Sequence, residues 1–228
     1  MPYVMGDPGF LLVIAAMIVG LIASAGVQRV FAKYSRVTSR LGLTGAQMAR
    51  RILDNFGLMN IGIERIEGRL GDHFDPRAGV LRLSPDVYGS TSVAALGVAA
   101  HEAGHAVQHA FRYQPIIIRN ALVPVANLGS QLLFPLMFAG IVFSSFSFLI
   151  WIGAILYAAA VAFHFVTLPV EFNASSRAIS YLQSTGGLTS EDLDGVKKVL
   201  RAAAMTYVAA ALAALANMIR LILLGRRR

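Results

Sequence analysis

Cysteine is absent from the 228 residues. That excludes disulfides and thiolate metal sites, and leaves imidazole and carboxylate as metal ligands. Charge is scarce as well: 14% of residues are charged against 56% hydrophobic, too apolar for an ordinary soluble domain and a sign of several membrane spans. Between Ala121 and Leu168 there is no Lys, Arg, Asp or Glu. No repeat of fixed period and no low-complexity linker interrupts the chain. Nor is there an aromatic-basic platform, so the net charge of +8 is not assigned to nucleic acid. The basic residues flank the apolar segments, which suits a lipid surface.

What is present divides the chain into five stretches. Residues 1–32 form an N-terminal transmembrane anchor, with Phe10 to Val30 long enough to cross a bilayer. Ala23-Ser24-Ala25 resembles a cleavage site, but the segment before the span has Asp7 and no Lys or Arg. That is the wrong start for a secretory signal, and a retained anchor is expected. Residues 33–120 are a mixed α+β part. Residues 121–168 are too long for one span and break at Ser144-Ser145-Phe146-Ser147, so a transmembrane hairpin is expected. Residues 169–201 turn polar, and 202–228 are a C-terminal apolar helix with a basic tail. The expected fold is therefore a mainly α membrane protein with about four transmembrane helices and a small α+β insertion. Arg29, Lys33, Arg36 and Arg40 follow the first span and place the mixed part in the cytoplasm by the positive-inside rule. Four spans then leave Arg226-Arg227-Arg228 outside, against the same rule, but the other basic clusters outnumber it.

Within the mixed part, Thr44-Gly45-Ala46-Gln47 has capping-box spacing and opens a helix through Leu53. Ile61–Arg69 and Gly79–Leu83 read as two strands joined across Asp75-Pro76-Arg77-Ala78. Ser90 and Ser92 offer caps for a helix from about Val93 to Arg112. On that helix lies His101-Glu102-Ala103-Gly104-His105. Residues i and i+4 share a helix face, so the two imidazoles can meet one ion. Zinc held there would lower the pKa of a bound water to about 7, and Glu102 could accept its proton. Two histidines leave such a site incomplete, since catalytic zinc takes three protein ligands. Glu171 is the only acid between Glu102 and Glu191. It is expected to open a polar helix after Thr167-Leu168-Pro169-Val170, as third ligand or as a helix-start acid favoured by the macrodipole.

Three blocks carry a family resemblance: Leu83-Ser84-Pro85-Asp86-Val87-Tyr88, then His101 through His109, then Thr167 through Ala178. With them the chain resembles the YugP-like neutral zinc metallopeptidases of bacteria over nearly its whole length. The resemblance implies a multi-pass membrane protein with a gluzincin-like site, in which His101, His105 and Glu171 are ligands and Glu102 is the general base. A more distant likeness is to the HtpX and CAAX-prenyl membrane peptidases, whose third-ligand helix reads E-x-x-A-D. Here the pattern is Glu171-Phe172-Asn173-Ala174-Ser175, with Ser175 where an Asp would support a zinc-bound histidine.

Further candidates are weaker. Arg177 could stabilise an oxyanion, pair with Glu102, or stay solvated. His164 lies seven residues before Glu171 within a span, where an ionisable group is a functional candidate. His109 could form a pocket rim, and His73 shapes the strand-joining turn. Gly79–Leu83 could offer an edge for extended substrate. Leu193-Asp194-Gly195 looks like the third-ligand motif of intramembrane site-2 proteases, but Glu191, Asp192, Lys197 and Lys198 surround it. The expected function is a Zn2+-dependent endopeptidase acting on protein or peptide substrates near the bilayer, with no nucleic-acid partner and an open oligomeric state. A membrane scaffold with a structural or vestigial metal motif is the alternative.

Overall fold

The computed structural model describes residues 8–68, 71–146 and 148–226. Arg69, Ser147, Arg227 and Arg228, on which parts of the sequence reading fall, lie outside the described residues, as does Asp7. The chain divides into two compact units. One holds Ala25–Gln114 and Val170–Ala204; the other holds Met1–Ser24, Pro115–Pro169 and Met205–Arg228.

The first unit is built on a short sheet. Helix α1 (Pro8–Tyr34) enters it from Ala25 onward. Helix α2 (Gly45–Asn55) begins at a capping box: the Thr44 hydroxyl accepts from Gln47 N–H, and the Gln47 side chain accepts from Thr44 N–H. Three strands follow, β1 (Gly62–Arg65), β2 (His73–Asp75) and β3 (Val80–Leu83), in the order β1-β3-β2. β1 pairs parallel with β3, Gly62 opposite Val80, while β2 pairs antiparallel, Phe74 opposite Leu81. The expected two-strand arrangement is thus corrected to three strands. The predicted turn does join a hairpin, but between β2 and β3. Its cause is local: Asp75 Oδ1 accepts from the N–H groups of Arg77 and Ala78, and Gly79 takes φ +66° to return the chain. His73 accordingly lies in β2, not in the turn. β3 is central, so it has no edge to offer an extended peptide; β1 and β2 hold the edges.

Two further helices close this unit. A four-residue turn α3 (Pro85–Tyr88) leads to α4 (Val93–Ala110), capped by the Ser92 hydroxyl, which accepts from Ala95 N–H. Ser90 does not cap; its hydroxyl donates to Ser92 Oγ. The core is formed by Met48, Leu53, Leu81, Leu83, Val87 and Leu96, all fully buried. The alternation of exposure along β3 places Leu81 and Leu83 inward.

Four helices among the described residues are long and apolar enough to cross a membrane: α1, α5 (Gln114–Val142), α6 (Phe148–Ser184) and α7 (Ser190–Arg226). A 3-10 turn at Ser144–Phe146 separates α5 from α6, as the serines suggested. In the second unit large apolar side chains face outward, with Phe134 76%, Ile155 71% and Ile22 67% exposed. That outward surface suits hydrocarbon rather than water. The protein is a mainly α membrane protein with a small α+β part.

Two helix expectations are corrected. Pro169 does not break the helix: α6 runs from Phe148 to Ser184, so Glu171 lies inside a helix rather than at its start. Likewise the charged turn after Thr189 and the last apolar segment are one helix, α7. Thr189 Oγ1 accepts from Asp192 N–H at its start. Gly186, at φ +66°, makes the break between α6 and α7.

Candidate metal centre

The site is assembled where α4 and α6 cross in opposite directions. His101 and His105 stand one turn apart on α4, with rings 4.7 Å apart and nearly perpendicular. Their Nε2 atoms are 3.1 Å from one another, and Glu171 Oε2 lies 3.1 Å from the first and 3.4 Å from the second. Three potential ligand atoms therefore form a near-equilateral triangle. Its corners lie about 1.9 Å from its centre, so a point about 2.0–2.1 Å from all three, the usual zinc–ligand length, exists just off the plane. Tetrahedral zinc at that length sets its ligands about 3.3 Å apart, which these edges match. Two imidazoles and one carboxylate, without thiolate, are also a donor set that zinc accepts. The residues fit the ion.

The crossing is tight because Gly104 has no side chain. A Cβ there would meet Ala174 O at 2.9 Å, so α4 and α6 touch main chain to main chain between the ligands. The histidine side chains keep 12% of their surface exposed and Glu171 4%, a recess that water can still reach. Burial pushes the Glu102 carboxyl above the usual range; the nearby charges of His105 and His101 oppose this, while Glu171 and Asp72 add to it. For His105, burial acts to lower the pKa. The hydrogen bond and charge of Glu171, the charge of Glu102 and a bond to Gln108 outweigh it, and the ring's pKa is raised.

Supporting bonds surround the histidines. Ser175 Oγ lies 3.1 Å from His101 Nδ1. Gln108 Oε1 lies 3.0 Å from His105 Nδ1, and Gln108 Nε2 donates to Val170 O at 2.8 Å and Asn173 Oδ1 at 3.0 Å. Arg177 gives its Nε to Asn173 Oδ1 at 2.7 Å; no bond joins it to Glu102. Asp72 accepts from the N–H and hydroxyl of Ser84, and burial raises its pKa against those bonds. His109 packs edge-on against Phe74 of β2, 5.9 Å away. His73 Nδ1 pairs with Gly71 O. His164 packs against Phe163 and belongs to the other unit. Asp194 is exposed and paired with Lys198 one turn on, which removes the site-2-type third ligand. Sequence reasoning assigned nothing to Gln108, Asn173 or Asp72. The i, i+3 spacing of His105 and Gln108 was the available signal, since it puts both on one helix face.

A His-Glu-x-x-His helix meeting a buried glutamate on a second helix, within a mainly α membrane protein, is an arrangement that suits a membrane metallopeptidase. The chain belongs to the neutral zinc metallopeptidase family: the model described as "Putative neutral zinc metallopeptidase" matches residues 9–226. It is similar to "Putative membrane protease YugP" of Bacillus subtilis (strain 168), with 46% identity over 213 residues, 93% of this chain and 94% of that protein. No solved structure shows a significant match.

Proposed function

We propose that the protein is a multi-pass, membrane-bound zinc endopeptidase that hydrolyses peptide bonds with Glu102 as general base. The observation that carries this is the convergence of His101 Nε2, His105 Nε2 and Glu171 Oε2 to 3.1–3.4 Å beside Glu102. Zinc bound by these three would polarise an attacking water and the scissile carbonyl. Glu102 accepts the water's proton as the oxygen adds to the carbonyl carbon. Burial around Glu102 favours its protonated form and so helps it hold that proton. It then delivers the proton to the departing nitrogen, so the C–N bond breaks to give a carboxylic acid and an amine. Ser175 and Gln108 keep the two rings turned toward the centre.

Substrates are proteins or peptides presented near the bilayer, on the cytoplasmic side. Glu171 follows the apolar run 121–168 by three residues in sequence, and Arg29, Lys33, Arg36 and Arg40 follow the first span. Orientation is tested by placing one cysteine in this cysteine-free chain, M59C, at a residue 73% exposed. An impermeant maleimide should label it in inside-out vesicles and not in intact cells; the reverse result overturns the cytoplasmic assignment.

The activity is tested on detergent-purified protein by zinc content and peptide cleavage. Wild type and Glu102→Gln should retain near-stoichiometric zinc, with cleavage lost only in the variant. Glu171→Ala should lose most of the metal. Cleavage surviving in Glu102→Gln would remove the general base, and absence of zinc from wild type after supplementation would leave the scaffold reading.

A further inference from the structure

Gln108 is completely buried, one turn beyond the HExxH motif, and it spans both helices of the site. A backbone carbonyl only accepts hydrogen bonds, so the Gln108 amide must turn its NH2 toward Val170 O. The second hydrogen of that NH2 goes to Asn173 Oδ1. Its Oε1 is left for His105, and an amide oxygen only accepts. His105 Nδ1 must therefore carry a hydrogen, which in the neutral ring leaves the lone pair on Nε2, the atom 3.1 Å from His101 Nε2 and 3.4 Å from Glu171 Oε2. From the other end the same polarity is imposed. Arg177 Nε only donates, so Asn173 must present Oδ1, and that oxygen accepts from Arg177 and Gln108 together.

We infer that Gln108 is a positioning residue that fixes the tautomer of His105, with Arg177 and Asn173 setting the direction of the hydrogen bonds that reach it. Arg177 thereby acts through Asn173 rather than on the substrate. His101 is held differently: a hydroxyl both donates and accepts, so Ser175 orients that ring without dictating its tautomer. The same amide also ties the two ligand helices together, since Val170 immediately precedes Glu171. The inference rests on the proposed zinc site for its functional meaning, but the tautomer itself is a property of the metal-free protein.

The test uses the full chain in detergent with Zn2+ as probe, titrated against a chelator, for wild type, Gln108→Leu, Asn173→Leu and Asn173→Asp. Loss of the amide should weaken zinc binding about 10–100-fold in Gln108→Leu, with a smaller loss in Asn173→Leu. Asn173→Asp still offers acceptor oxygens to both Gln108 and Arg177, and should remain within about threefold of wild type. The second readout is 15N NMR of histidine-labelled, metal-free protein at a pH alkaline enough to keep the ring neutral, with His105 assigned by its loss in His105→Asn. Wild type and Asn173→Asp should show the Nδ1–H form of His105, and Gln108→Leu a mixture. A mixture in wild type, or zinc binding in Gln108→Leu equal to wild type, overturns the inference. If Gln108→Leu does not fold, the two Asn173 variants and the wild-type spectrum decide. If wild type binds no zinc, the peptidase reading falls while the spectrum still judges the tautomer.

Discussion

Gly104→Ala is a demanding perturbation because the added methyl would meet main chain. It would lie 2.9 Å from Ala174 O, 3.4 Å from its Cα and 3.5 Å from its carbonyl carbon. These atoms belong to the interior of α6 and cannot rotate aside, so the helices must part by about half an ångström to reach ordinary contact. The ligands stand on the same two faces, His101 and His105 on α4 and Glu171 on α6, at 3.1 and 3.4 Å. Separation would stretch these to roughly 3.6–3.9 Å, beyond the roughly 3.3 Å that tetrahedral zinc sets between its ligands. One bond then lengthens or is lost, and zinc affinity should fall about tenfold or more. Overpacking of this kind costs about 1–3 kcal/mol, or about 2–12 °C in melting temperature for a chain of this size. Chelator competition and thermal melts in detergent measure both. Gly26→Ala is the control, since a methyl there meets nothing within 4 Å. Wild-type zinc affinity in Gly104→Ala would refute the close crossing of the ligand helices as the device that sets the site.

Two other outcomes are expected. Ser175→Ala removes the partner of His101 Nδ1 and should weaken zinc binding about 10-fold, whereas Ser175→Asp, which restores an acceptor with charge, should not; equal losses in a chelator titration would mean that the hydroxyl is not supporting that ring. Asp75 is held down to about 2, first by its hydrogen bond from Arg82 and then by the turn N–H groups. A folded pKa below the unfolded 3.8 adds stability above that value, which is lost as pH falls toward about 2. Asp75→Asn should therefore lower the melting temperature at neutral pH, with the gap from wild type closing between these two values. A gap that persists at the acid end would assign the loss to the turn rather than to the charge.

Local signals in the sequence were legible wherever one residue type forces one geometry. Thr44 with Gln47 and Ser92 with Ala95 start their helices as capping chemistry requires, and the i, i+4 histidines share a face because a helix repeats every 3.6 residues. The lack of charge from Ala121 to Leu168 gave two of the four apolar helices. The sheet was less legible. β2 is three residues long and its partner order depends on a parallel pairing between β1 and β3, which no local pattern encodes. Gln108 and Asn173 escaped for a related reason: each matters through what faces it across the helix crossing, and sequence periodicity describes one helix at a time.

Pro169 shows how such a misreading bears on the chemistry. A proline lacks the N–H that would close a turn with the residue four before it, and it disfavours helical geometry in its predecessor, so a helix boundary was the natural inference. Had α6 begun there, Glu171 would have sat among free N–H groups at a helix start, where a carboxylate needs no further partner. The helix instead passes through Pro169, and at Glu171 the main-chain donors are already engaged within the helix. A carboxylate only 4% exposed is costly without compensation, and the groups that face it include His101 Nε2 and His105 Nε2. Continuity of α6 thus withdraws the capping explanation for Glu171. A buried charge turned toward two imidazole nitrogens at ligand spacing is suited to holding a cation among them.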